Sequence, residues 1–150
     1  MKDSLQCKML TPDYIIGLTD GEGSFTVYLR NPENPIKKKR RVYAEPRFYI
    51  KLIEKDKDIL YRLKKFFGCG SVYFQRDVRP NHQNCYRYEV YNRNDLKKII
   101  IPFFKKYHLK FNSKKNDFKI FCDLFERICK NEHLNTEGLK FLCNLKAKMH

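Results

Sequence analysis

Apolar and polar residues alternate along four short runs of this chain, and each run predicts a strand with one buried face. The runs are Ser24 to Arg30, Val42 to Leu52, Ser71 to Arg76 and Cys85 to Asn92. The residues on the other face are mainly polar, basic or aromatic. The pattern therefore predicts a sheet with one face in the core and one face in water.

Between these runs, apolar residues recur every three or four positions, which is typical of amphipathic helices. Thr11 and Pro12 are a good N-cap and a good first helical residue, and that helix stops at two acids spaced by a glycine. Asp56 and Gly68 bound a second helix. Later helices are predicted to be capped by Asn94, Ser113 and Thr136, with a restart at Pro102.

The order of elements is α-β-β-α-β-β-α, which predicts an α+β protein with a four-stranded antiparallel sheet. A chain of 150 residues is about one domain with room for a core. No internal repeat is visible. We therefore expect a single domain over residues 1–150.

The charge narrows the class of partner. Lys and Arg total 32 against 17 Asp and Glu, a formal net charge of +15. This is the electrostatic footprint of a nucleic-acid binder, although AT-rich coding DNA also produces lysine-rich chains without selection for charge. The run from Lys37 to Arg41 joins two predicted strands and suits phosphate contacts, while a nuclear import signal or a solubilising run fits it as well.

The six cysteines include no Cys-x-x-Cys pair, so we expect reduced thiols rather than disulfides or a zinc site. The four histidines lack partners at catalytic spacing. No run is long enough for a signal peptide or a membrane span. The expectation is a soluble, intracellular protein with no membrane and no small-molecule cofactor, in a compartment that the sequence leaves open.

Asp20 and Glu22 end the first helix, where the negative end of the macrodipole disfavours acids by a few tenths to about 1 kcal/mol. Function is the better reason for them, although a solvated acid at a loose helix end is the alternative for Glu22. Gly17 and Gly21 lie four residues apart on one helical face, where missing side chains allow another backbone to come close.

The segment Ile15 to Gly23, IIGLTDGEG, resembles the nine-residue signature of the LAGLIDADG homing endonucleases. Gly17, Leu18, Asp20 and Gly23 match it, and Glu22 stands at its eighth position, the metal-binding acid. The resemblance extends in the order of elements over about Pro12 to Phe125. Only one copy of the motif is present, which in that family implies a homodimer with two such helices about a two-fold axis.

The resemblance implies a curved sheet that forms a DNA-binding saddle, with Glu22 as catalytic and metal-binding acid and the Gly21 carbonyl as a second metal ligand. Hard oxygen ligands suit Mg²⁺, and Asp20 is expected to have a supporting role. The helix face expected at the dimer interface carries Tyr14, Gly17, Asp20 and Gly21. The residues expected to bind DNA are Thr26, Tyr28, Arg30, Lys37, Lys38, Lys39, Arg40, Arg41, Tyr43, Arg47, Tyr49, Lys51, Ser71, Tyr73, Gln75 and Arg87.

The family also uses a lysine near the cleavage centre, for which Lys114 and Lys115 are the candidates, and solvated lysines are the alternative. A polar residue late in the second strand is harder to place because Leu52 stands nearest to its register. Lys51 and Glu54 are the neighbouring candidates.

The resulting hypothesis is a Mg²⁺-dependent endonuclease that cuts both strands of a long, pseudo-palindromic DNA site. Two alternatives use the same fold. One is an RNA-binding intron maturase, and the other is a DNA-binding regulator in which Glu22 is dispensable.

Overall fold

The computed structural model describes residues 8–29 and 44–150. Helix α1 spans Pro12–Glu22 and is followed by β1 (Gly23–Leu29), β2 (Ala44–Ile53), α2 (Lys57–Phe67), β3 (Ser71–Gln75) and β4 (Cys85–Val90). The remaining helices are α3 (Arg93–Asp95), α4 (Ile101–Lys106), α5 (Asn112–Cys129) and α6 (Thr136–Lys146). The predicted order of elements is confirmed, including the last helix, predicted near Thr136.

The four strands form one sheet in the order β1-β2-β4-β3. Strand β4 pairs antiparallel with both β2 and β3, and the register places Lys51 and Tyr73 opposite Arg87. Residues that face each other in an antiparallel register lie on the same side of a sheet. The α+β class and the antiparallel sheet predicted from the alternating runs are therefore confirmed.

The chain divides into two compact units, and β2 contributes to both. In the described residues, one unit comprises 8–24 and 48–110, and the other comprises 25–29, 44–47 and 111–150. The prediction that residues 1–150 form a single domain stays a prediction.

Aromatic rings pack against one another in each unit. In the unit that contains α1, Phe48 lies 5.3 Å from Phe104 and 6.5 Å from Tyr88, measured between ring centroids. In the other unit, Phe25 lies 5.1 Å from Phe118 and 5.5 Å from Phe121. These contacts fix which face of each strand is buried, so the opposite face carries the polar residues.

Three helix starts differ from the sequence prediction. Asn92, rather than Asn94, caps α3 by accepting from the backbone N–H of Asp95, and Asn135, rather than Thr136, caps α6. Ser113 lies inside the first turn of α5, whose N-cap position is occupied by Phe111 without a side-chain bond. In each case several polar residues compete near a helix start, and sequence alone does not decide between them.

The helix between β4 and α5 passes through a π-helical segment, Leu96–Ile100, before α4. The N–H of Ile101 donates to the carbonyl of Leu96, five residues back. Pro102 follows directly and has no N–H to donate, so the wider turn accommodates the lost hydrogen bond. The restart predicted at Pro102 is this change of helical register.

Some predicted DNA contacts lie outside the described residues, namely Arg30, Lys37, Lys38, Lys39, Arg40, Arg41 and Tyr43. Among the described residues, Cys69, Cys85, Cys122, Cys129 and Cys143 form no disulfide. No helix in this part of the chain is long and apolar enough to cross a membrane.

Candidate active site and nucleic-acid interface

Glu22 is the last residue of α1 and its side chain is exposed. Across residues 8–29 and 44–150 it has no hydrogen-bond or ion-pair partner. The preceding carbonyls belong to the last turn of the helix, where backbone oxygens have no intrahelical donor. An unpaired carboxylate beside helix-terminal carbonyls is an oxygen-rich end that favours a cation.

Asp20, two residues earlier, is buried with 4% exposure. Both of its carboxylate oxygens accept from the backbone N–H of Lys110, at 3.1 and 3.0 Å. Asp20 therefore holds the end of the motif helix to the segment that precedes α5. This is a supporting contact of the kind expected from the sequence.

One face of α1 is open. Tyr14, Gly17 and Gly21 are exposed, and a Cβ placed on either glycine would meet nothing within 4 Å in the described protomer. Asp20 does not share this face because it is turned inward to Lys110. The expectation that Asp20 contributes to a dimer interface stays a prediction.

Gly23 differs from the two open glycines. A Cβ on it would lie 2.6 Å from Thr19 Cγ2 and 2.8 Å from the Thr19 carbonyl oxygen. The chain turns directly from helix into strand here, and only a residue without a side chain fits.

The sheet face opposite the core carries most of the described residues that were expected to bind DNA in the motif-bearing unit. The register places six of them on one side: Tyr49, Lys51, Ser71, Tyr73, Gln75 and Arg87. Their side chains range from exposed for Ser71 and Tyr73 to buried for Arg87. Such a surface can read base edges in the major groove.

An acid that was not predicted from the sequence connects several side chains on this face. Glu89 is 4% exposed and accepts from the Tyr73 hydroxyl at 2.6 Å and from Arg87 Nη2 at 3.1 Å. The Arg87 guanidinium carbon lies 3.5 Å from the centre of the Tyr49 ring. The four side chains form one connected group, called here the Glu89 network.

In the other unit, Tyr28 is exposed and the Arg47 guanidinium lies 4.8 Å from its ring centre. Lys146, near the end of α6, approaches the same ring at 6.0 Å. Arg47 is also bonded to Glu45. Thr26 is half-buried on β1. This unit thus has its own basic and aromatic surface.

Lys114 and Lys115 lie in the first turn of α5, the former half-buried and the latter exposed. Leu52 faces the side of the sheet that carries Tyr86, whereas Lys51 lies on the side of Arg87. Glu54 is exposed in the 3-10 turn after β2. Of these three residues, only Lys51 is thus a polar side chain on the predicted reading face.

A polar cleft of about 610 Å³ lies at the loop end of the β3–β4 hairpin. Asp77 lines it and accepts two side-chain bonds from Arg79, at 2.9 and 2.6 Å. These bonds hold the pKa of the Asp77 carboxyl well below its usual range. The Asp77–Arg79 pair therefore stabilises the hairpin loop. The charge of Asp77 is not available to a ligand.

No group of three or more His, Cys, Asp or Glu side chains in the described residues is placed to hold a metal ion. Among the described residues, one protomer offers Glu22 and nearby backbone oxygens at this end of α1.

Residues 15–125 match the sequence model of the LAGLIDADG endonuclease family. The chain belongs to this family. It is 33% identical over 143 residues to probable intron-encoded endonuclease 2 of Neurospora crassa, which covers 94% of this chain and 29% of that protein. It is 32% identical over 108 residues to probable intron-encoded DNA endonuclease 1 of Mycosarcoma maydis, covering 72% of this chain and 34% of that protein.

Two solved LAGLIDADG structures illustrate the range of lengths. The homing endonuclease I-TnaI superposes with a TM-score of 0.77 at 36% identity, covering 95% of this chain and 90% of that chain. I-SmaMI, solved on an uncleaved DNA target with calcium ions, gives 0.77 at 32% identity, covering 94% of this chain and 45% of that chain. The chain thus spans about half of the length of I-SmaMI and a smaller share of the curated relatives.

Sequence patterns did not identify two residues of the surfaces described above, Glu89 and Lys146. Glu89 follows Arg87 by two positions, so the period of a strand already places both on one face. The sequence does not, however, indicate which neighbouring side chains this acid bonds to. Lys146 approaches Tyr28 across more than a hundred residues of sequence, and no local pattern predicts such a contact.

Proposed function

We propose that this chain is a site-specific DNA endonuclease that acts as a homodimer with divalent metal ions, Mg²⁺ by preference. The observation that carries the proposal is Glu22, an exposed carboxylate unpaired in the described structure, at the end of a helix with an open glycine face. Membership of the LAGLIDADG family and relatives named as endonucleases support it.

The residues present fit a metal ion only in part. Glu22 and the carbonyl of Gly21 would supply oxygen ligands, which Mg²⁺ prefers. A bound divalent ion activates the attacking water and offsets charge on the leaving oxygen. Because the described residues supply a single unpaired carboxylate at this end, a second motif helix beside the first would add a second one.

The open face of α1 supports the homodimer. Tyr14, Gly17 and Gly21 leave space for a partner backbone, and the chain covers 45% of the I-SmaMI chain. Two copies of this chain would match one I-SmaMI chain in length. A two-fold arrangement would repeat the same contacts in each half, which favours a pseudo-palindromic target.

The chain's own residues have separate roles in this proposal. The six residues on the exposed side of β2, β3 and β4 would bind base edges, and Tyr28, Arg47 and the segment from Lys37 to Arg41 would bind DNA in addition. Lys114 or Lys115 would place a positive charge near the reacting phosphate. Lys51 is our candidate for the polar residue that orients water, because it lies on the predicted reading face.

The test is a cleavage selection. The protein is incubated with a library of randomised plasmids and Mg²⁺, and the new ends are sequenced. A long, two-fold symmetric consensus with double-strand breaks at its centre is expected. Intact plasmids together with tight binding to an intron RNA would instead support the maturase alternative, and sequence-specific binding of DNA without breaks would support the regulator.

A further inference from the structure

Glu89 is a carboxylate on the face proposed to bind a polyanion, and it is almost completely buried. An acid at such a position opposes phosphate binding unless its charge is used locally. Its described partners are Arg87 and Tyr73, which lie on the same face. The carboxylate of Glu89 therefore interacts with neighbouring side chains and is not presented to solvent.

Arg87 is held by two contacts and is mostly covered. Its Nη2 donates to Glu89 at 3.1 Å, its guanidinium stacks on Tyr49 at 3.5 Å, and the side chain is only 11% exposed. A guanidinium carries five N–H donors. The bond to Glu89 uses one of the two on Nη2, and donors remain for a ligand.

Burial of the Arg87 side chain leaves one of its hydrogen-bond donors unsatisfied. Arg87 Nε is buried and has no hydrogen-bond partner in the described residues. A buried ion pair with an orphan donor is weak evidence of stabilisation, since apolar residues of similar volume often do as well. Folding stability alone therefore does not explain the network.

We propose that Glu89 is a positioning residue for sequence recognition, which orients Arg87 to read the guanine of one G·C pair in each half of the target. The inference rests on the proposed function. Paired donors on one guanidinium match the O6 and N7 acceptors of guanine in the major groove. Because Arg87 is ordered before DNA arrives, binding costs little side-chain entropy. Because the Arg87 side chain is mostly covered, we expect it to contact a single base pair. Its effect on base preference is therefore confined to that pair.

The experiment compares base preferences rather than activity alone. Wild-type protein and the variants Glu89→Gln, Tyr73→Phe and Arg87→Lys are each used to select bound duplexes from a randomised DNA library. Ca²⁺ replaces Mg²⁺, because I-SmaMI was observed on an uncleaved target with calcium ions. Glu126→Gln is the matched control, since Glu126 forms an exposed ion pair with Lys130 on α5.

Glu89→Gln is expected to lower the preference for guanine at one position in each half by roughly tenfold. Preferences at the other positions stay as in the wild type. Arg87→Lys should affect the same position, and Tyr73→Phe should affect it more weakly. Glu126→Gln should leave the whole profile as in the wild type.

The outcomes separate the two proposals. Wild-type protein that selects no DNA sequence removes the proposed function and this inference with it. A selective wild type, with Glu89→Gln giving the same profile or a uniform loss at all positions, overturns the inference alone. If Glu89→Gln does not fold, Tyr73→Phe decides by the same criterion, because it removes only the hydroxyl that donates to Glu89.

Discussion

The backbone N–H of Lys110 donates to both carboxylate oxygens of Asp20 across ninety positions of sequence. The contact ties the end of α1 to the residues that enter α5. Replacing Asp20 by Ala leaves a partly buried N–H without this acceptor, at a cost of about 1 kcal/mol or more in the free energy of unfolding. Urea denaturation measures the loss. Asp13→Ala, at an exposed acid of the same helix, is the control and should change stability by roughly 0.5 kcal/mol or less.

The two kinds of glycine in the motif should respond in opposite ways to alanine. Gly23→Ala forces a Cβ against Thr19 and should destabilise the protein by about 1–3 kcal/mol. Gly17→Ala fills open space in a helix, where alanine is favoured over glycine by up to about 1 kcal/mol, so the protomer itself should gain stability.

The bulkier Gly17→Val should prevent self-association without unfolding the protomer, because the proposed contact needs two backbones to approach closely. Sedimentation velocity on the wild type and the variant decides this. A wild type that is monomeric at micromolar concentration, or a Gly17→Val variant that is still dimeric and active, contradicts the interface.

Glu22→Gln should abolish cleavage and leave specific binding nearly intact. The amide keeps the size of the side chain and loses the charge that holds a metal ion. Cleavage and binding are measured separately on the selected target, with Glu126→Gln as the matched surface control. Equal cleavage by Glu22→Gln at saturating Mg²⁺ would remove Glu22 from the catalytic site.

Base-reading and phosphate-binding residues should differ in their dependence on salt. Gln75→Ala should relax specificity at a few symmetric positions, by about 1–3 kcal/mol of discrimination. Alanine at Lys37, Lys38 and Lys39 should weaken binding to all sequences alike and flatten the slope of log affinity against log salt by up to roughly 0.9 per lost phosphate contact in each half. The assignment of the two surfaces fails if these effects are exchanged.

Tyr88 should make stability depend on alkaline pH. Burial raises the pKa of its phenol far above the usual value, and the neutral hydroxyl donates to the carbonyl of Cys69 at 3.0 Å. Because the pKa is higher in the folded state, this stabilisation is complete below the unfolded pKa of about 10 and is lost as pH rises above it.

Tyr88→Phe tests this directly. The variant should be less stable than the wild type at pH 8 by about 1 kcal/mol, because it lacks the hydrogen bond, and should lose less stability between pH 8 and pH 11. Tyr61→Phe, at a half-exposed tyrosine, should follow the wild-type curve. Parallel curves for Tyr88→Phe and the wild type would exclude Tyr88 as the source.

Local patterns predicted the elements because each is encoded by nearby residues. Thr11 caps α1 through the N–H of Tyr14, and Gly68 ends α2 with a left-handed φ of 70°, both as expected from sequence. The true caps Asn92 and Asn135 were missed because neighbouring polar residues have similar preferences. Their choice depends on where tertiary packing lets the helix begin.

The hydrogen-bond partners of a side chain were harder to predict than the face of the sheet on which it lies. The period of two placed Arg87 and Tyr73 on the wet side of the sheet, and the register agrees. It could not show that Glu89 accepts from both, because the Tyr73 bond joins β3 to β4 and the Arg87 bond depends on side-chain conformation within β4. The inward turn of Asp20 likewise depends on Lys110, which lies far away in sequence.

The Glu89 network also determines how this protein could acquire a new target. A lone change at Arg87 leaves a buried carboxylate with one partner fewer, and breaking one side of such a pair is generally much more costly than replacing both sides together. Positions 87 and 89 should therefore be randomised as a pair in any retargeting library. In natural drift between sites, the two codons are expected to change together rather than one after the other.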